Sequence, residues 1–177
     1  MFEEYLQDSF EFFEIAQHAN SKADTRKARR YYRASVFYAT GAMEAFINYI
    51  ADGFANSQTL QPHEIAFLND RAFTPKNGKL IEQTRYYNVE DKLRFLISKF
   101  TPGFNFGTNP SWSKFTQFKS FRDSLVHPRQ SEDEMEAIDY EKRVRSGLSG
   151  IIGLMNEVSK SIYNRPLRKQ LLDLIPE

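Results

Sequence analysis

The chain contains no cysteine. Disulfide bonds, thiolate nucleophiles and cysteine-ligated zinc are therefore excluded from its chemistry. Histidine is nearly as scarce, with His18, His63 and His127 the three in 177 residues. They are scattered, so no paired-histidine zinc helix can be built from them. Charge of one sign is lacking too. The formal net charge is +1, which means that any surface for a polyanion must be local rather than global. No apolar run is long enough to cross a bilayer, and no membrane partner is expected. The opening residues, MFEEYLQDSF, are acidic and amphipathic instead of basic and then apolar. They do not read as a secretory leader, and the cytoplasm is the expected location.

Aromatic residues, by contrast, are plentiful: 16 Phe and 9 Tyr predict a core of large rings and some apolar surface kept for a partner. The length suits one domain, residues 1–177, with no internal repeat and no low-complexity tract.

Five segments carry helical periodicity, and none shows a run of strand alternation, so the predicted fold class is all-α. The first helix is expected over about Phe2 to Ala19, and the second, a long one, over about Asp24 to Ala55. Val89, Leu93, Leu96 and Phe100 mark a third, closed by Thr101-Pro102-Gly103. The fourth has clear punctuation: Asn109 suits an N-cap and Pro110 the first helical position, where its missing N–H costs nothing. It must end near His127, because a residue preceding proline avoids the α conformation. Ser131 and Glu134 form a capping-box pattern that predicts the start of the fifth. A short tail helix should follow Pro166. Between the second and third helices, about Asn56 to Asn88, His63 to Asp70 suits one short helix. The rest, including Pro75-Lys76-Asn77-Gly78, reads as a turn or an irregular inserted loop. Gly147, Gly150 and Gly153, three apart on the fifth helix, predict a close approach of another helix.

Only one string concentrates groups that could do chemistry: Phe121-Arg122-Asp123-Ser124-Leu125-Val126-His127-Pro128-Arg129. Arg122 and His127 stand about 7.5 Å and about 140° apart on an α-helix, so they do not share a face. Both are long enough to reach a common point beyond the helix end. A guanidinium can grip a phosphate bidentately, and an imidazole titrates near neutral pH and can move protons. Together they suit RNA cleavage by a 2′-hydroxyl, with arginine offsetting charge on the phosphorane and histidine as acid or base. Spacing alone favours the structural reading: Arg122 pairs with a carboxylate and His127 caps the helix against its dipole.

Arg122, Asp123 and His127 also match a family pattern: an arginine, a polar residue, a few further residues and a histidine, near the end of a late helix. In this the chain resembles the HEPN superfamily, found in toxin–antitoxin, abortive-infection and CRISPR-associated systems. The resemblance implies a helical bundle that dimerises, two motifs facing each other across one cleft. It implies a metal-independent endoribonuclease without cofactor, with Arg122 and His127 catalytic and Asp123 orienting them, and with an antitoxin or other regulatory protein among its partners. Some HEPN domains resemble scaffolds instead, so the alternative is a catalytically silent module that binds a partner protein. On the second helix Arg26, Arg30 and Arg33 are candidates to follow an RNA backbone, as is Arg129 beyond the motif, or they belong to a solvated surface. Glu44 and Asn48, one turn apart, either orient a catalytic group or flank the core with no task.

Overall fold

A computed structural model describes residues 1–55, 59–127 and 136–176. In chain order these form α1 (Phe2–Ser21), α2 (Thr25–Phe54), α3 (Pro62–Leu68), β1 (Arg71–Lys76), β2 (Lys79–Thr84), α4 (Val89–Phe100), α5 (Pro110–Val126), α6 (Ala137–Tyr163) and α7 (Lys169–Leu172). The fold is mostly helical, and among the described residues no helix is long and apolar enough to cross a membrane.

α1 and α2 lie antiparallel, joined by a tight turn in which Ala23 takes a positive φ of 58°. Asp24 starts α2 by accepting a hydrogen bond from the Lys27 amide at 3.1 Å, which satisfies one of the helix's unpaired N–H groups. The two helices are held by rings at both ends, Phe2 on Phe46 and Phe13 on Tyr32. Between them a buried serine pair closes its own polar account, Ser9 Oγ donating to the Ser35 carbonyl at 2.8 Å. α6 crosses this pair with a stripe of Val144, Leu148, Ile151, Met155 and Val158, all buried, at the four-three spacing that keeps one face inward.

α5 lies antiparallel against α6, and the three glycines explain how closely. A Cβ added to Gly147 would stand 1.9 Å from the Phe118 ring, one on Gly150 would stand 2.9 Å from the Phe115 amide nitrogen, and one on Gly153 would stand 2.5 Å from Ser111 Oγ. No other residue leaves room for this seam. Asn109 caps α5 as the sequence suggests, accepting from the Trp112 amide at 2.9 Å. α6 is described from Ala137 onward; Ser131 and Glu134 of the expected capping box lie outside the described residues.

The stretch expected to be irregular contains a β-hairpin, so the all-α expectation holds for the core and fails there. β1 and β2 pair antiparallel, Arg71 opposite Thr84 and Lys76 opposite Lys79. Asn77 and Gly78 make the turn with φ of 50° and 74°, the positive values a two-residue hairpin of type I′ requires. Every residue of the two strands is exposed or half-buried, so the segment never had to write an alternating apolar pattern. Asp70, just before β1, ties off the excursion. Its carbonyl accepts from the Arg85 amide at 2.8 Å, its Oδ1 from the Tyr87 amide at 2.8 Å, and its Oδ2 meets the buried Lys92 ammonium of α4 at 2.6 Å.

Candidate functional site

Four rings gather helix ends at one pole of the bundle. Phe13, near the end of α1, packs at 5.9 Å on Tyr32, near the start of α2. Tyr32 stacks at 6.4 Å on Tyr140, at the start of α6, and Tyr140 meets Phe121, near the end of α5, edge-on at 5.4 Å. Beside this relay runs a polar one. Glu141 accepts hydrogen bonds from Gln17 Nε2 at 2.9 Å, Tyr32 Oη at 3.1 Å and Arg145 Nη2 at 3.1 Å. Burial works against the Glu141 charge, but those three donors outweigh it and hold the carboxyl below the usual range. The Tyr32 phenol is pushed well up, by burial first and then by the neighbouring Glu141 charge.

This construction places the ends that carry the candidate residues at one pole. The last turn of α5 bears Arg122, Asp123 and, as its C-cap, His127. The start of α2 bears Arg26, Arg30 and Arg33, all exposed, and the start of α6 bears Lys142 and Arg143, exposed as well. Arg143 stands over the Phe121 ring at 5.1 Å, and Arg145, already paired with Glu141, over Phe13 at 5.4 Å, contacts that add cation–π attraction. Carboxylates at the same pole among the described residues include Glu141 and Asp123, both already paired, with Asp24, Glu136 and Asp139, all three exposed. Arg129 lies outside the described residues.

Asp123 does not bridge Arg122 to His127. Its Oδ1 accepts from Arg122 Nη1 at 3.1 Å, and its Oδ2 faces Lys119 Nζ at 3.8 Å. Lys119 in turn reaches Glu90 of α4 at 3.4 Å, and Glu90 reaches Arg94 at 3.5 Å. Asp123 is thus the near end of an ion-pair chain tying α5 to α4, and it orients the arginine alone. Arg122 uses only Nη1 in this pair; its Nε is buried with no hydrogen-bond partner among the described residues. His127 is exposed, its amide closing the helix on the Asp123 carbonyl at 3.0 Å. Among the described residues no hydrogen bond joins its imidazole to Arg122 or to any other group. The two candidates therefore stand about 1.4 turns apart, and among the described residues no hydrogen bond links them within one chain.

Glu44 and Asn48 sit elsewhere. Both are exposed on α2 and line a small cavity of about 170 Å³ with Asp70, Tyr87 and Lys92. No hydrogen bond connects either to Arg122 or His127 among the described residues, so their expected supporting role gains nothing from their position. Sequence reasoning passed over Lys142 and Arg143. The order of the rings on α5 and α6 brings them beside the motif helix, and nothing local in the sequence announces that contact. Among the described residues no three His, Asp or Glu side chains cluster as a metal site.

Protein-family models, curated proteins and solved structures were each compared with the chain, and none matches it.

Proposed function

We propose that the chain is a HEPN-type endoribonuclease that cleaves RNA without a metal, acting as a homodimer whose two motifs form one composite site. The observation that carries this reading is the shared pole: the last turn of α5, with Arg122 and His127, stands among exposed cations from α2 and α6. A phosphodiester docking there meets cations that neutralise it and an accessible imidazole that can take or give a proton. One imidazole cannot serve as base and acid in a single displacement. Since the His127 imidazole has no partner among the described residues of its own chain, a second copy is the simplest source of the other. His127 of one protomer would then deprotonate the 2′-hydroxyl while its counterpart protonates the leaving 5′-oxygen, the two Arg122 side chains holding the phosphate.

The Arg122–Asp123 pair favours a second reading, a catalytically silent HEPN-like module in which the arginine is structural. One assay separates the two. Purified protein incubated with mixed RNA is expected to leave 2′,3′-cyclic phosphate and free 5′-hydroxyl ends, to spare DNA and to be indifferent to chelators. His127→Ala is expected to lower the rate by about a hundredfold or more, the usual weight of acid–base catalysis. Products with 5′-phosphates, or an unchanged rate in His127→Ala, would remove the mechanism and leave the silent module.

A further inference from the structure

A groove of about 680 Å³ runs between α5 and α6 on the flank of the motif helix, and its wall is unusual in sign. Lys114, Lys142 and Arg143 line it, and among the described residues no aspartate or glutamate does. Among the described residues Lys114 Nζ is hydrogen-bonded only to a neutral group, Ser149 Oγ at 3.1 Å. Arg143 rests on the Phe121 ring, and neither it nor Lys142 has a carboxylate in ion-pair contact among the described residues. Three cations along one concave surface, none in ion-pair contact with a carboxylate among the described residues, attract a polyanion.

The polar groups between them narrow its identity. Thr116, Ser120 and Ser124 also line the groove, and each spends its hydroxyl proton on a carbonyl of its own helix. The partners are Ser113 at 3.0 Å, Thr116 at 3.1 Å and Phe121 at 2.8 Å. What these oxygens still offer is lone pairs, so they are acceptors. A ligand that fits both features carries anionic oxygens for the cations and hydroxyl donors for the acceptors. Such a ligand is a ribose-phosphate strand, whose 2′-hydroxyl is the donor that DNA lacks. From Lys114 to Ser124 the groove follows α5 for roughly 15 Å, and it ends one turn short of His127.

We propose that this groove holds the backbone of single-stranded RNA and delivers the strand to the end of α5. The proposal rests on the reading of that helix end as an RNA-cleaving site, yet it is tested by binding alone. Full-length protein carrying His127→Ala is titrated into a fluorescent single-stranded RNA, and into DNA of the same sequence, at several salt concentrations. The same titrations are made with Lys142→Gln/Arg143→Gln added. The added pair is expected to weaken RNA binding about tenfold and to flatten its salt dependence by roughly 1.4, at about 0.7 per lost phosphate contact. Ser120→Glu, a carboxylate set on the opposite wall, should weaken binding in the same direction, whereas Lys76→Gln/Lys79→Gln at the hairpin tip should not. DNA is expected to bind more weakly than RNA, and the groove substitutions should narrow that gap. RNA affinity unchanged by both groove variants overturns the proposal. So does a pair that abolishes binding of polyglutamate while RNA binds as before, since that assigns the groove to an acidic protein. Electrophoresis of the recovered RNA keeps the two claims apart: a strand cut as fast in the His127→Ala background as by the wild type defeats the nuclease reading, whereas an intact strand bound with unaltered affinity defeats the groove.

Discussion

The two halves of α5 obey different rules. Its first three turns bury one face to the limit: Trp112, Phe115 and Phe118 face the core, and glycines on α6 admit the helix backbone to near contact. Its last turn is open, with Val126 and His127 exposed and Arg122 half-exposed on an ion pair. Packing fixes where the helix lies, and the fixed helix then aims a turn that contributes little to holding it there. A rigid shaft with a free tip is how a few side chains can be positioned without being needed for stability.

The contrast is broken most severely at the seam. Gly150→Ala is expected to destabilise the protein by about 1–3 kcal/mol, the usual range for overpacking. The added methyl would meet the Phe115 amide, a backbone atom that cannot swing aside. Alanine ordinarily strengthens a helix by roughly 1 kcal/mol over glycine, so even the sign is diagnostic. Urea unfolding measures it, and a more stable variant would show that the helices stand farther apart than described.

A middle-sized effect belongs to Glu141, which ties α1, α2 and α6 at the pole. Its carboxyl is held below the usual range by its hydrogen bonds from Gln17, Arg145 and Tyr32, despite burial. A group with a depressed folded pKa contributes stability that is present above its unfolded value and is lost as pH falls through the folded one. The advantage of the wild type over Glu141→Gln should therefore be fully present at neutral pH and fade as pH drops below about 4. Parallel thermal melts from pH 7 to pH 3 follow it; a difference that stays constant across that range removes the carboxylate from the account.

The smallest change in stability is expected at the tip. Arg122→Ala and His127→Ala should each shift unfolding by no more than about 0.5 kcal/mol, as surface changes generally do. Arg122 is the sharper case, since its Asp123 pair is solvent-exposed and such pairs are worth roughly 0–1 kcal/mol. If either variant melts well below the wild type by calorimetry, the last turn is structural and the comparison between the two halves collapses.

The seam was legible in the sequence and the pole was not. Glycines at every third position can be read as a close approach, because only the missing side chain explains them there. Asn109-Pro110 and Asp24 fix helix starts by local hydrogen bonding, which a sequence carries in full. The hairpin escaped because its strands are exposed on both faces; its one signal was Asn77-Gly78, a dipeptide whose positive φ values suit a two-residue turn. The role of Asp123 was half legible. Lys119 four residues before it is a helical neighbour, but Glu90 joins through the packing of a separate helix. The company of Lys142 and Arg143 depends on how α6 docks, and no local pattern encodes docking.

Asp70 gives the hairpin a property of a different kind. Its carbonyl and carboxylate receive the returning chain at Arg85 and Tyr87, and the same carboxylate is anchored to Lys92 in the core. The chain leaves and comes back to a single knot, and besides it the hairpin touches the helices where β1 packs against α3. Residues 71–84 are in this sense a cassette. Beyond the residues of β1 that meet α3, their length and sequence can vary so long as both ends reach the one aspartate, and a foreign segment grafted there would inherit a ready-made anchorage.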